Sequence, residues 1–472
     1  MAKKGVAKVI GMISLVGAGP GDIELLTVKG KRRLQEADVV VYDRLVNREL
    51  LSLVNEDCEL IYVGKEPQFH PVPQEKISEI LIEKAKDNKK IVRLKGGDPY
   101  VFGRGGEEGA AVLSEGIPFE VVPGITSAIG GLAYAGIPIT HRYVAGSFHV
   151  ITAHRGEEGL AINWQALGSL TGTLVFLMGV SELSTICNEL QRVGKNPETS
   201  VAVVHWATRS KQKTVVGNLK TITEEVERKK ITSPSLIVVG DVVNLRETLN
   251  IFETKPLFGK EILVPRTSHK RLAYRLIDEG ASIVSYPSAI RKGCSWEMPA
   301  KMADNLVFTD GESWDSFILE FKKMSCDIRH LDAKISGIGH HTCEKIKAYG
   351  IQLEQELIEK SQLVRDENMM VFGSSRDLNW VSEINAHFIK THDLVYKGQK
   401  HDDLNSITAI CLPHSQAAYD LLANYTLAEL ADIPIFVLGN QTAAVIDNLG
   451  LQVILSKEAT FDSLITKLEE EL

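Results

Sequence analysis

The sequence predicts an α/β protein with more than one domain, and three observations carry that expectation. Short runs rich in Val and Ile recur at residues 13–16, 39–42, 91–94, 150–152, 174–178 and 236–239, and each reads as a buried strand. Helix-period segments lie between several of them; in 74–87, Ile77, Ile80, Leu81 and Ala85 fall on one face. The strand ends feed glycine-rich loops, the joints of an alternating strand–helix architecture. At 472 residues the chain is also too long for one ordinary core, so two or three domains are expected.

Composition narrows the class. Hydrophobic residues make up 44% and charged residues 24%, a globular balance that leaves no reason to expect disorder. The net charge of −8 speaks against general nucleic-acid binding, which needs a basic surface to neutralise phosphates. The most lipid-like stretch, 124–140, carries Thr126, Ser127, several glycines and Pro138, and falls short of a membrane span. The start is basic without an apolar run of signal-peptide length, and the six cysteines (58, 187, 294, 326, 343 and 411) form no CxxC pair. A cytoplasmic protein with free thiols is the expectation.

The first strand runs into Gly17-Ala18-Gly19-Pro20-Gly21-Asp22. A dinucleotide fingerprint would put a third glycine at position 22, where Asp22 stands, and Pro20 removes an N–H that would hold a pyrophosphate. Asp43 does close the second strand, where a ribose-binding acid would sit, so a nicotinamide-dependent oxidoreductase stays as an alternative. A second loop, Lys95-Gly96-Gly97-Asp98-Pro99, follows the strand at 91–94, and its glycines let a ligand approach the backbone. A third, Pro123-Gly124-Ile125-Thr126-Ser127, opens a small-residue stretch ending in Thr140-His141-Arg142. Three such loops describe a pocket walled largely by backbone. Beside them cluster Arg93, Lys95, Arg104, His141, Arg142, His154, Arg155, Arg209 and Lys211, a set able to bind carboxylates. His340 and His341 are adjacent, so their side chains diverge, and no ligand spacing supports a metal site.

Pro256 and Gly259 break the pattern and precede a fresh strand at 262–264, which marks a boundary. Beyond it the pattern G-x-x-T-x-x-x-I-x-x-x-G occurs twice, as Gly339, Thr342, Ile346, Gly350 and as Gly439, Thr442, Ile446, Gly450. Each copy follows a short strand (335–338, 435–438) and reads as strand, glycine turn and helix. The threonine can cap that helix, and the turn's N–H groups can hold an anion. One copy alone fits an ordinary strand–helix joint; two in the same register suggest two related α/β lobes facing one cleft.

Residues 12–253 closely resemble the S-adenosylmethionine-dependent tetrapyrrole methylases, and among them the uroporphyrinogen-III C-methyltransferases. The matching segments come in order: VGAGPGD (16–22), LLTVKG (25–30), ADVVVYDRLV (37–46), HPVPQE (70–75), VRLKGGDPYVFGRGGEE (92–108), VVPGITSA (121–128), GIPITHR (136–142) and SPSLIVVGDVV (233–243). The resemblance implies a two-lobed fold with S-adenosylmethionine in the cleft between lobes. Its contacts would be Pro20, Gly96, Gly97, Asp98, Val101, Thr126, Ser127, Met178 and Ala207, although Met178 equally fits plain core packing. Asp43 would be the base. Lys65 would be the proton donor or a cation for a substrate carboxylate. Among the cations, Arg104, His141 and Arg142 would bind the substrate's carboxylates.

Residues 260–472 resemble the uroporphyrinogen-III synthases by pattern. The pieces are Ile262-Leu263-Val264-Pro265-Arg266, then Val307-Phe308-Thr309 before an apolar helix, both repeat copies, and the closing stretch 459–464. This implies two α/β lobes, the first from about 260–295 and 400–472 and the second from 296–399, after a linker at 254–259. Thr342 and Thr442 would anchor carboxylates, and Tyr396 would assist loss of water unless it is an interlobe packing residue. Asp310, where the family often has serine, and the unusual Cys411-Leu412-Pro413-His414-Ser415 depart from the pattern. They leave a methyltransferase with a catalytically inactive, docking second half as the alternative. Together the resemblances imply a metal-free bifunctional enzyme of tetrapyrrole biosynthesis. It would cyclise hydroxymethylbilane to uroporphyrinogen III, methylate that product twice to precorrin-2, and dimerise with a second copy through the methyltransferase half.

Overall fold

The computed structural model describes residues 11–472 except 56, 65–72, 88, 154–160, 267–270, 325–328, 330, 359, 365–367, 397–399 and 448. The chain divides into two compact units, Met1–Tyr286 with Lys400–Leu472, and Pro287–Gln399.

The larger unit begins with β1 (Met12–Gly17), β2 (Val39–Tyr42), β3 (Glu59–Tyr62), β4 (Lys90–Lys95) and β5 (Phe119–Val122). They form one sheet in the order β3-β2-β4-β1-β5, with every pair parallel. Side chains alternate between its faces: Val39 and Val41 pack with Ile13 and Leu15, whereas Val40 packs with Val16 and Leu94 on the other side. Both faces are covered, which is why these strands read as unbroken apolar runs.

A second sheet holds β6 (Phe148–Thr152), β7 (Thr173–Leu177), β8 (Ser200–His205), β9 (Lys213–Asn218) and β10 (Ser235–Val239) in the order β6-β7-β10-β8-β9. Only β6 and β7 run parallel; the other pairings are antiparallel. Met178, expected inside a strand, lies just past the end of β7, with left-handed backbone (φ +55°) and 49% exposed.

A third sheet is wholly parallel, in the order Ser282–Tyr286, Glu261–Pro265, Ala409–Leu412, Ile435–Val437, Val453–Leu455. The segment 254–259 that leads into it is packed rather than slack. Leu257 is fully buried in the core of this sheet, its N–H donates to Glu279 O (2.9 Å), and Phe258 meets Phe252 edge-on.

The smaller unit carries a six-stranded sheet: Ala289–Gly293, His387–Tyr396, Met369–Ser374, Asn305–Phe308, Lys334–Ile338, Gln355–Leu357. Ala289–Gly293 was expected with the first lobe, but it pairs antiparallel with His387–Tyr396, so the strands change sheets after Tyr286 rather than near residue 295. Both repeat copies fold as strand, turn and helix, followed by Gly350 and Gly450 at φ +77° and +75°. The expected threonine caps are not there. The N-cap positions are Gly339 and Gly439, without side-chain caps, while Thr342 and Thr442 sit one turn inside and are each 4% exposed.

Candidate functional site

The three glycine loops meet at the C-terminal edge of the first sheet, where open parallel sheets bind ligands. Gly19 and Gly97 exchange backbone hydrogen bonds: Gly97 N–H donates to Gly19 O (2.8 Å) and Gly19 N–H to Gly97 O (3.2 Å). Asp98 ties the second loop to the third, accepting from Gly124 N–H (3.0 Å) with Oδ2 and from Tyr100 N–H (2.8 Å) with Oδ1. The approach is closest at Gly17 and Gly124. A Cβ on Gly124 would lie 2.3 Å from Gly97 O and 2.7 Å from Gly17 Cα, both unyielding backbone atoms. Gly97 is different. It has φ +69° and open space above it, with Thr126 Cα at 3.9 Å the one neighbour a Cβ would meet. Backbone this exposed in a fixed loop is what a ligand held by main-chain groups requires.

Asp43 lies just past β2, the neighbour of β4. Its Oδ1 accepts from Leu45 N–H (3.2 Å), and its Oδ2 lies 3.4 Å from Arg93 Nη2. Arg93 and Lys95, expected as cations for substrate, are instead 3% and 4% exposed and converge on Glu108, which is 0% exposed. Glu108 Oε1 receives Lys95 Nζ (2.8 Å), Arg93 Nε (3.3 Å) and Gln74 Nε2 (2.8 Å). Both cations point inward because the sheet's edge offers them a buried acid there. Burial, and then the Arg93 charge, hold the Lys95 ammonium below its usual range despite Glu108.

The remaining expected contacts surround these loops. Thr126 N-caps the helix Ser127–Tyr134, and Pro20 reaches the same helix at Gly130. Val101 and Met178 expose apolar surface, and Ala207 is buried beside Gly131. Arg104 is exposed and paired with Glu107 (2.6 Å); His141 and Arg142 are exposed in a short turn. Arg209 is drawn elsewhere: its guanidinium lies 4.8 Å over the Trp206 ring and donates to Leu45 O (3.1 Å), with Lys211 4.5 Å from the same ring. Lys65, His154 and Arg155 lie outside the described residues. In the smaller unit, Tyr396 ends its strand and its hydroxyl accepts from Arg376 Nη2 (3.2 Å).

Known proteins bear on this arrangement. Residues 12–223 match the family of tetrapyrrole (corrin/porphyrin) methylases. A Ruminiclostridium josui protein named porphyrin biosynthesis protein HemD is 35% identical and aligns over 98% of each chain. That full-length likeness decides the matter. This chain belongs to the tetrapyrrole methylase family. It acts in tetrapyrrole biosynthesis, and its first half is a methyltransferase. A uroporphyrinogen-III C-methyltransferase of Bacillus subtilis (strain 168) is 42% identical over 72% of either chain, and one from Priestia megaterium is 49% identical over 50% of this chain and 99% of its own. A solved uroporphyrin-III C-methyl transferase from Thermus thermophilus, complexed with S-adenosyl homocysteine, is 42% identical over 50% of this chain and 100% of that one, with a TM-score of 0.43.

Within this methylase the structure adds residues that sequence reading passed over. Tyr134 donates its hydroxyl to Asp22 Oδ2 (2.6 Å), and Asp22 N–H donates to Thr208 Oγ1 (3.0 Å), so the residue that spoiled the dinucleotide fingerprint pins the first loop to the second half of the methylase. Burial, with Asp22 as the next cause, pushes the Tyr134 phenol well above its usual range. Phe102, Arg104, Met178, Trp206 and Thr208 all take positive φ outside glycine, a concentration of strained backbone around the loops. No local pattern announces such strain. Glu108 had a signal, since an acid in the first turn of a helix after two buried-strand cations invites pairing.

Proposed function

We propose that residues 260–472 cyclise hydroxymethylbilane to uroporphyrinogen III, and that residues 12–253, joined through 254–259, methylate it twice to precorrin-2. What carries the reading is the loop cluster, with Gly97 open above three interlocked glycine loops and Asp43 at the end of the adjoining strand. S-adenosylmethionine, when bound, supplies an electrophilic methyl group. Gly96, Gly97, Asp98, Thr126 and Ser127 hold the donor along the backbone, between Pro20 and Ala207, with Val101 and Met178 as its apolar contacts. Positioning donor and carbon in line removes much of the barrier. The pyrrole carbon would form the new C–C bond with its π pair as the methyl–sulfur bond breaks and the sulfur leaves as a neutral thioether with the bonding pair, and the ring would then shed its N–H proton to Asp43. Lys65 returns a proton or binds a carboxylate; Arg104, His141 and Arg142 take further carboxylates.

In the second half, Thr342 and Thr442 anchor carboxylates. Tyr396, oriented by Arg376, gives its proton to the departing hydroxyl so that it leaves as water. Much of the remaining cyclisation is intrinsic to the resonance-stabilised cation. The enzyme works in the cytoplasm as a metal-free homodimer through the methyltransferase half.

The test supplies the full chain with hydroxymethylbilane, with and without S-adenosylmethionine, and follows products by absorbance and mass. Uroporphyrinogen III without the donor and a doubly methylated product with it support both activities. Methylation of pre-made uroporphyrinogen III alone makes residues 260–472 a docking module and removes the roles of Thr342, Tyr396 and Thr442. Asp43→Asn lowers kcat by about 10²–10⁴ if it is the base.

A further inference from the structure

The third sheet ends in an open edge. Its outermost strand, Ser282–Tyr286, pairs on one side with Glu261–Pro265, and no described strand pairs with the other side. Such an edge turns alternate N–H groups outward, where they need partners. At Ser285 the partner comes from the methyltransferase half. Its N–H donates to Glu49 Oε1 (3.0 Å) and its hydroxyl to Glu49 Oε2 (2.5 Å). Three residues earlier on the same strand, Ser282 Oγ accepts from Ser210 N–H (3.0 Å). Ser210 and Ser285 are both buried, so water does not replace a lost partner.

The two ties reach different lobes of the methyltransferase. Glu49 lies in the short helix Arg48–Leu53, just after β2 of the first sheet. Ser210 lies in the turn between β8 and β9 of the second sheet. From those points both lead back to one peptide group of the first glycine loop, that joining Gly21 to Asp22. Asn47, whose Oδ1 accepts from Glu49 N–H (3.1 Å), donates its Nδ2 to Gly21 O (2.8 Å). From the other lobe, Thr208 Oγ1 accepts from Asp22 N–H (3.0 Å), and a Cβ on Gly21 would lie 2.9 Å from that oxygen. The peptide is clasped from both sides, and the strand Ser282–Tyr286 spans the clasp. A third link is aromatic. Tyr134, which holds Asp22, meets Phe252 (4.6 Å between ring centroids), and Phe252 meets Phe258 (5.3 Å), next to Leu257 in the core of the third sheet.

We propose that the edge strand Ser282–Tyr286 is a strut that fixes the opening of the methyl-donor cleft, with Ser282, Ser285 and Glu49 as positioning residues for methyl transfer. The inference rests on the donor site of the proposed function and adds that the second half of the chain sets its affinity. A donor held between two lobes binds only molecules whose lobes stand at the right separation, so releasing the ties raises the apparent Kd as that population falls. Once bound, the donor itself bridges the lobes and restores the separation, so the rate at saturation is preserved.

The test is calorimetric titration of the full chain with S-adenosyl homocysteine, beside steady-state methylation of uroporphyrinogen III. The double variant Glu49→Ala/Ser282→Ala should bind the ligand about tenfold more weakly, about threefold for each tie. The KM for S-adenosylmethionine should rise by the same factor while kcat stays within about twofold. Glu49→Gln with Ser282→Thr keeps both acceptor oxygens and should bind within about twofold of wild type. The Ser285 N–H reports the tie without any variant. Ligand at about ten times its Kd should slow its exchange with deuterium about tenfold, read by mass spectrometry on peptides spanning 282–286. An unchanged Kd in the double variant, a fall in kcat without a rise in Kd, or ligand-independent exchange at Ser285 overturns the strut and leaves the donor site standing. Equally weak binding by the conservative pair traces the effect to damaged packing and overturns it as well. Failure of the wild type to bind S-adenosyl homocysteine overturns the donor reading itself.

Discussion

Replacing Glu108 by glutamine probes the buried charges beneath the glycine loops. The substitution keeps size and an acceptor oxygen but removes the charge that balances Arg93 and Lys95, both nearly inaccessible to water. Removing one partner of a buried ion pair costs about 3–5 kcal/mol, because the remaining charge stays desolvated without compensation. By 1.36 kcal/mol per decade, local opening of the strand Lys90–Lys95 and the helix Gly105–Ser114 should become about 10²·²–10³·⁷-fold more frequent. Hydrogen exchange read on peptides from those segments measures this directly.

Lys95 adds a second signature to the same variant. Burial and Arg93 already lower its pKa in the folded chain, and loss of Glu108 lowers it further. The folded state then binds fewer protons than the unfolded state between the lowered pKa and about 10.4, so stability rises with pH through that window. The deficit of Glu108→Gln is therefore largest near neutrality and shrinks towards about pH 10. Adding Lys95→Met should recover part of it at neutral pH. Wild-type protection in the variant, or a deficit independent of pH, would refute the network.

Further outcomes follow from other contacts. Gly124→Ala forces a Cβ to 2.3 Å from Gly97 O, and calorimetry should show loss of S-adenosylmethionine binding. Tyr134→Phe removes the hydroxyl that holds Asp22 and should cost about 1–3 kcal/mol in loop order, read as weaker donor binding in the same titration. Burial opposes ionisation of Glu120, but hydrogen bonds from Arg33, Lys29 and Ser14 hold its carboxyl down to about 2. Its stabilisation is present above about pH 4.5 and is lost as pH falls towards 2, so Glu120→Gln should flatten acid unfolding across that window. Cys187 and Cys411 are buried, which pushes the Cys187 thiol up to about 11 and the Cys411 thiol higher still. Both should resist a thiol reagent until denaturant is added, and reaction of either in the native protein contradicts the packing.

Much of the first sheet was legible because its causes are local. A parallel strand covered on both faces must be apolar at consecutive positions, so residues 13–16, 39–42 and 91–94 announced themselves within four residues each. The loops were legible for the same reason, since glycine is needed where backbone approaches backbone, as at Gly17 and Gly124. Thr342 and Thr442 show the limit. A threonine after a glycine turn looks like a cap, but the helix begins one residue after the glycine and carries the threonine inside.

The sequence by itself determined where strands, turns and glycine loops lie and that the chain repeats a strand–helix unit, because propensity and periodicity act over a few neighbours. Tertiary structure alone decided what the charged residues do. Arg93 and Lys95 looked like surface cations until strand order and a helix register brought Glu108 and Gln74 onto them. Glu49 became a tie between two halves only when Ser285, distant in sequence, met it across their junction. A charge takes its role from the partner that burial supplies, and that partner is chosen by how sheets are ordered and packed rather than by its neighbours along the chain.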